Sequence, residues 1–342
     1  MTHTVPWYAD FDITDPQIGC QELAGVLKHW KTDIAYVQQL SCLTQLTHLS
    51  CTAQSELGSL EELQQLSLLQ TLRLSRLSSV SSHVHNLKFV QSLELHGVEE
   101  EVCNIDSYTQ LTHLFIRCKD TVKEVLLPFG NGVQLQTLTI HGPGRDHEHI
   151  FHLRNLTSAT GLEEMSLYST SPQNIGQAGL SALPFLTSLL FMSPDCALLH
   201  TLSLCSSLQG LYVPDCKQTT FPSNLSLLTQ LKDLMIKGCS FAHFPDCLLH
   251  LSQLESLVVC CNKPAFHLSN SILCLAKWPN LKLLSFSNYY YNFPELLFSV
   301  ESQLLLYQLQ KQLRDCNSSC KFQSHMICLS FKMVVQTAFQ LW

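Results

Sequence analysis

Lysine and arginine are scarce in this chain. They number 20 in 342 residues against 27 aspartates and glutamates, which leaves a net charge of −7. A nucleic-acid-binding surface needs clustered cations to displace the counterions of a phosphate backbone, and the basic residues here are scattered. No nucleic-acid partner is expected. Long apolar runs are missing too: Met326 to Val335, among the longest, is interrupted by Lys332. That falls short of the roughly 20 apolar residues a bilayer-crossing helix requires, so no membrane span is expected. The opening Met1-Thr2-His3-Thr4-Val5-Pro6 has neither the cationic start nor the apolar core of a secretory signal. The expectation is a reducing, cytoplasmic compartment with free thiols. Nucleophile elbows, phosphate-cradling glycine loops and dinucleotide fingerprints are also lacking, which points away from an enzyme and from any cofactor.

What the chain does have is aliphatic residues in a strict rhythm. The pattern Leu-x-x-Leu-x-Leu, with Val, Ile, Met, Phe or Cys as replacements, begins at Leu46, Leu69, Val90, Leu111, Leu135, Leu162, Leu186, Leu208, Leu231, Leu254 and Leu281. Successive copies lie 21 to 27 residues apart. Each copy is too short to close a core alone, so neighbours must stack, and the product is a solenoid.

One copy shows the physics. In Leu231-Lys232-Asp233-Leu234-Met235-Ile236 the side chains of an extended strand alternate, sending Leu234 and Ile236 inward while Asp233 and Met235 face out. Strands laid side by side give a parallel sheet, and the remaining residues of each repeat return along the other side. The residue between the last two apolar positions therefore faces outward in every repeat. Read along the chain these are Ser50, Arg73, Glu94, Phe115, Thr139, Ser166, Leu190, Tyr212, Met235, Val258 and Ser285.

Four of them in succession, Leu190, Tyr212, Met235 and Val258, form an apolar column at the roughly 4.8 Å spacing of adjacent strands. A contiguous apolar patch on the outside of a protein marks a contact surface. Phe115 adds an aromatic in an earlier repeat, and Arg117, Asp233 and Lys237 are charged flanks that supply specificity around such anchors. The expected partner is another protein.

The best-formed stretch runs Phe221-Pro222-Ser223-Asn224-Leu225, then Leu228, Leu231, Leu234, Ile236, Cys239, Phe244-Pro245 and Leu248. It resembles the leucine-rich-repeat family in its short Phe/Leu-Pro form, as in many intracellular plant and green-algal members. Leu43-Thr44-Gln45-Leu46-Thr47-His48-Leu49 resembles the algal repeats, and the likeness covers roughly residues 40 to 300. It implies an α/β solenoid curved like a horseshoe, with the parallel sheet on the concave side and short helical or irregular segments on the convex side. It also implies a non-enzymatic interaction module that binds its partner on the concave face. A ciliary location is a further implication of the algal resemblance.

The family pattern places Asn or Cys three residues after the last motif position, where it satisfies backbone groups inside the turn. Here Cys216, Cys239 and Asn262 occupy that slot in consecutive repeats, whereas Gln54, Leu77, Val98 and Lys119 hold it earlier. Irregular curvature at both ends follows as an expectation.

Three segments result: an N-terminal helical cap at 1–35, about eleven repeats at 36–300, and a C-terminal helical cap with an apolar tail at 301–342. In the first, Pro16 to Trp30 is expected to form an amphipathic helix with Ile18, Leu23, Leu27 and Trp30 on its apolar stripe. An F-box-like helix recruiting a ubiquitin ligase is the alternative to a simple cap. A fragment resembling an immune-receptor repeat domain is a third reading, from Gly238-Cys239 and Phe244-Pro245. In the last segment, Glu295 to Cys316 carries Leu296, Val300, Leu304, Tyr307 and Leu313 as a stripe that closes the array.

Two clusters hold metal-ligand residue types. Asp146, His147, Glu148, His149 and His152 follow Gly142-Pro143-Gly144, but the spacing is not His-Glu-x-x-His, and a solvated loop or return segment is expected. Cys316, Cys320, His325 and Cys328 lack the Cys-x2-Cys knuckle. No metal site is expected.

Overall fold

The computed structural model describes residues 29–33, 43–52, 60–75, 87–98, 108–119, 124–128, 134–142, 149–154, 156–168, 170–173, 180, 182–192, 196–214, 216, 218–261, 266–288, 299–317 and 319–324. The chain divides into two compact units, Met1–Leu183 and Pro184–Trp342.

Unit 1 contains β1 (His29–Asp33), β2 (His48–Thr52), β3 (Thr71–Ser75), β4 (Ser92–Val98), β5 (His113–Cys118), β6 (Glu124–Pro128), β7 (Thr137–His141), β8 (His149–Arg154), β9 (Glu164–Tyr168) and β10 (Thr170–Gln173). Strands β1, β2, β3, β4, β5, β7 and β9 lie side by side in that order, all parallel. In unit 2, β11 (Ser188–Phe191), β12 (Gly210–Val213), β13 (Asp233–Cys239), β14 (Ser256–Cys261), β15 (Leu283–Asn288) and β16 (Lys321–Ser324) are likewise parallel neighbours in chain order. The return segments of unit 2 hold the short helix α1 (Cys196–Thr201), 3-10 turns at Ser223–Leu227, Asp246–His250 and Asn270–Lys277, and the longer helix α2 (Val300–Cys316).

The motif explains both the strands and their packing. Its three apolar positions are buried in every repeat: Leu231, Leu234 and Ile236 are at most 1% exposed, as are Leu69, Leu72 and Leu74. Burying each such side chain is worth about 1.5–3 kcal/mol. A tight turn precedes each strand, with the N–H of the first motif leucine donating to the carbonyl three residues back, as from Leu46 to Leu43, Leu208 to Cys205 and Leu254 to Leu251. The next N–H reaches across to the preceding repeat. In unit 2, Gln209 donates to Thr187, Lys232 to Gln209, Glu255 to Lys232 and Lys282 to Glu255, all at 2.7–2.8 Å. The same relay runs through Gln70, Gln91, Thr112, Gln136 and Glu163 in unit 1. It satisfies backbone donors at the strand entrances, which are costly if buried unpaired.

Several expectations change here. His29 and Trp30, placed at the end of an amphipathic helix, belong to β1, which pairs in register with His48 and Leu49; residues 16–28 lie outside the described residues. A parallel edge offers a row of open backbone hydrogen-bonding groups, and pairing with it outweighs the local helical periodicity. The inward stripe of the C-terminal helix is also shifted. Ser302, Leu306, Leu309 and Leu313 are buried, while Leu304 is 55% and Tyr307 43% exposed. Ser302 wins an inward position because its hydroxyl accepts from the Leu268 N–H at 2.9 Å. Leu296 lies outside the described residues.

The tail supplies a further strand that the motif does not announce. Lys321 N–H donates to the Lys282 carbonyl, continuing the relay, and Phe322 pairs with Leu284 in register. Asn317 supports this turn by donating to the carbonyls of Leu281 at 2.9 Å and Trp278 at 3.4 Å. Residues 325–342 lie outside the described residues, as do His325 and Cys328 of the cysteine-histidine run. Of the two placements expected for His149 and His152, the return segment holds and the loop does not: both stand in β8, which pairs with β6 and β10 in a second, three-stranded parallel sheet built from return segments. Asp146, His147 and Glu148 are outside the described residues.

The expected ladder after the strands exists with altered membership. Cys216 and Cys239 are fully buried, but the third rung is Cys261, whose sulfur lies 3.1 Å from that of Cys239; Asn262 is not described. The reason is a register shift between Lys237 and Cys239, enabled by Gly238 at φ 73°. The same device recurs in unit 1, where Gly97 at φ 74° shifts the register between His96 and Val98 and buries Val98 beside Cys118. The Cys118 and Cys261 thiols sit where the charged form is strongly disfavoured: burial pushes Cys118 up to about 12, and the hydrogen bond between Cys261 and Cys239, then burial, raises Cys261.

Candidate protein-binding surfaces

Parity along the motif strands gives the repeat sheet of each unit an open face opposite its core. In unit 2, the middle row of that face is Leu190, Tyr212, Met235, Val258 and Ser285. The strand registers pair Leu190 with Tyr212, Tyr212 with Met235, Met235 with Val258 and Val258 with Ser285. The predicted apolar column is therefore contiguous. Its four apolar members are half-buried, not exposed, because side chains on strands this close shield their neighbours. Ser285 closes the row at 7% exposure. Phe191 faces the core, as alternation requires.

Tyr212 is the largest member, and its position has a local cause. A Cβ on Gly210 would come within 3.1 Å of Cε2 and 3.4 Å of the hydroxyl of the Tyr212 ring. The ring thus folds back along its own strand over the glycine two residues earlier. Around the column lie Asp233 and Lys237, from the rows before and after it on β13. Partial burial, then the nearby Glu255 carboxylate, holds the Asp233 carboxyl above the usual range. Glu255 itself is held low by its ion pair with Lys282 on the neighbouring repeat.

Unit 1 presents a different open face. Phe115 and Arg117, both predicted, stand on β5. Phe115 lies between two imidazoles, with ring centroids 4.9 Å from His96 and 5.1 Å from His141, and His141 stacks on Tyr168 at 4.0 Å and 17°. Arg117 pairs in register with His96 on one side and His141 on the other. Glu94 is held by Arg73 at 3.4 Å and by the His96 ring at 3.4 Å. Burial is the leading cause that holds His96 and His141 below the ordinary histidine value, and the Arg117 charge adds to it in both.

His96, His141 and Tyr168 are site residues that the motif did not single out. They sit two places beyond the outward-facing middle position. The signal was available, because alternation continues for as long as the strand does.

No protein-family model matches this chain, and no curated protein matches it in sequence. Solved structures do match. An internalin from Listeria monocytogenes is 17% identical, with a TM-score of 0.58, over 89% of this chain and 88% of that one. A leucine-rich-repeat protein from Leptospira interrogans is 14% identical over 83% of this chain and 91% of that one, with a TM-score of 0.31. The Toll–Spätzle complex of Drosophila matches at 16% identity over 74% of this chain and 37% of that one, with a TM-score of 0.46. The repeated motif, the parallel strands it forms and the likeness to the internalin together give this chain the leucine-rich-repeat fold.

Proposed function

We propose that this protein is an interaction module that binds a protein partner on the open face of its repeat sheet. The observation that carries the reading is the in-register column Leu190, Tyr212, Met235 and Val258 in unit 2. The core explains the inward residues; on the other face the strand registers bring an aromatic, a thioether and two aliphatics side by side. Tyrosine is a frequent binding anchor, since its ring gives large contact area at low entropy cost, and methionine adapts its shape to a partner. Asp233 and Lys237 flank the anchors and set orientation.

The test is affinity capture of the tagged full-length chain from its own cells, beside the Tyr212→Glu/Met235→Glu variant, with partners identified by mass spectrometry. The reading expects a partner lost in the variant while thermal unfolding stays cooperative. Full retention of all partners by the folded variant refutes this site.

A further inference from the structure

We propose that the open face of unit 1, the row His96, Phe115, His141 and Tyr168 with Arg117 between the imidazoles, docks an acidic peptide segment of a protein partner. It extends the proposed function, resting only on its premise that the open faces bind protein, and concerns surfaces of unit 1 alone.

The first argument is charge. The chain is acidic overall, at −7, yet this row is not. Arg73 and Glu94 compensate each other at 3.4 Å. Arg117 is exposed, and among the described residues it has no ion-pair partner. It is thus a guanidinium in a setting of rings, with a planar donor fork suited to a carboxylate. A local cation on an acidic protein selects anionic ligands by contrast with everything around it.

The second argument is shape. Four rings follow one another at 4.0–5.1 Å across four adjacent strands, tilted by 32° and 36° at the first two contacts and stacked at the third, giving a continuous aromatic strip. Such a strip receives peptide aromatic and aliphatic side chains, while Arg117 takes the acid.

The third argument is proton linkage. The groups facing His96 are Glu94 beside it, Arg73 and Arg117; those facing His141 are Arg117, His96 and the Tyr168 ring. In the free protein the imidazoles are kept neutral near pH 7. A docked carboxylate favours their charged forms, so binding draws protons onto them. Because Arg73 and Glu94 cancel, the row carries one positive charge with neutral imidazoles, and each protonation adds another. By linkage, affinity for the acidic segment rises as pH falls.

The experiment titrates the full-length chain with a short fluorescein-labelled peptide of alternating glutamate and tyrosine, followed by fluorescence anisotropy in low salt. The expected affinity is at least about fivefold higher at about pH 5.5 than at about pH 7.5, where glutamate stays ionised. Arg117→Gln should lower it by at least about tenfold, and Arg117→Lys should restore part of that loss. His96→Gln/His141→Gln should abolish the pH dependence.

A peptide of alternating lysine and tyrosine that binds equally well would reduce the row to a sticky aromatic strip and overturn the proposal. Binding that is indifferent to Arg117→Gln, or absent at both pH values, also overturns it. So does a short single-stranded oligonucleotide that outcompetes the peptide, since stacking rings beside an arginine also suit nucleic acid. The titration reads unit 1 while the capture experiment reads unit 2, so failure of one is distinguishable from failure of the other.

Discussion

Replacing Gly238 by alanine tests the device that shapes the ladder of unit 2. Gly238 has φ 73° and lies where the pairing of β13 with β14 slips by one residue. An L-residue held in the left-handed region costs ~1–2 kcal/mol. Alanine also makes the unfolded chain less free, which returns ~0.4–1 kcal/mol, so the net loss is about 1 kcal/mol if the backbone holds its conformation. Should the backbone relax to negative φ instead, the slip is lost and Cys239 leaves its place against Cys261, exchanging a conformational cost for a packing cost. For a unit of this size a loss of 1 kcal/mol lowers Tm by about 2–4 °C. Thermal unfolding followed by circular dichroism reads the shift. Gly238→Asn should lose less than Gly238→Ala, because asparagine tolerates the left-handed region. Gly97→Ala, at φ 74°, should reproduce the effect through unit 1. An alanine variant as stable as the parent, or an asparagine variant less stable than the alanine variant, refutes the argument that these glycines are held by positive φ.

Ser302→Ala removes the acceptor for the buried Leu268 N–H, and an orphaned buried donor costs ~1–3 kcal/mol, read as a lower urea midpoint. Gly210→Ala drives a Cβ into the Tyr212 ring and displaces it, so partner capture should weaken as it does for Tyr212 substitutions while the melting temperature moves little. For His96 and His141 the folded pKa is lowered, so the unfolded state binds more protons below about pH 6.5. Their contribution is present above that pH and is lost as pH falls through their folded values; His96→Gln/His141→Gln should flatten the corresponding decline in Tm. Iodoacetamide at mildly alkaline pH should label the exposed Cys316 in the native protein and spare the buried Cys118, Cys216, Cys239 and Cys261, with peptide mass spectrometry giving the sites.

How much the sequence disclosed divides along the two faces of the strand. The inward positions were legible because the solenoid forces them to repeat: each of Leu234, Leu257 and Leu284 meets the same environment, one strand over. The strand registers then set the middle positions from Leu190 to Ser285 side by side, as parity predicts. What parity could not supply was local backbone chemistry that breaks it. Gly97 and Gly238 shift the register after the motif ends, so the buried rung at the end of β14 is Cys261 and the one at the end of β5 is Cys118, each one residue earlier than a fixed count gives. The end strands β1 and β16 escaped for a related reason. An edge strand completes a sheet through backbone pairing, which any sequence can supply, and it needs only part of the motif.

The same division explains why the fold is plain and the partner is not. A core position is constrained by its neighbours in the next repeat, so the period announces it. An open-face position is constrained only by what it touches outside the chain, so its residue type carries binding information but no period. The row His96, Phe115, His141 and Tyr168 makes the point: three members stand two places beyond the middle position and Phe115 stands at it, and the period does not set which residue type fills either place. They become one surface only once the registers of four strands are known, and Arg117 becomes significant only when it falls between two rings. In a repeat protein, therefore, the residues to test for function are those the repeat leaves unexplained, taken together where the registers make them neighbours. By that criterion the row from Leu190 to Val258 and the row from His96 to Tyr168 rank above any charged side chain that stands alone on either open face.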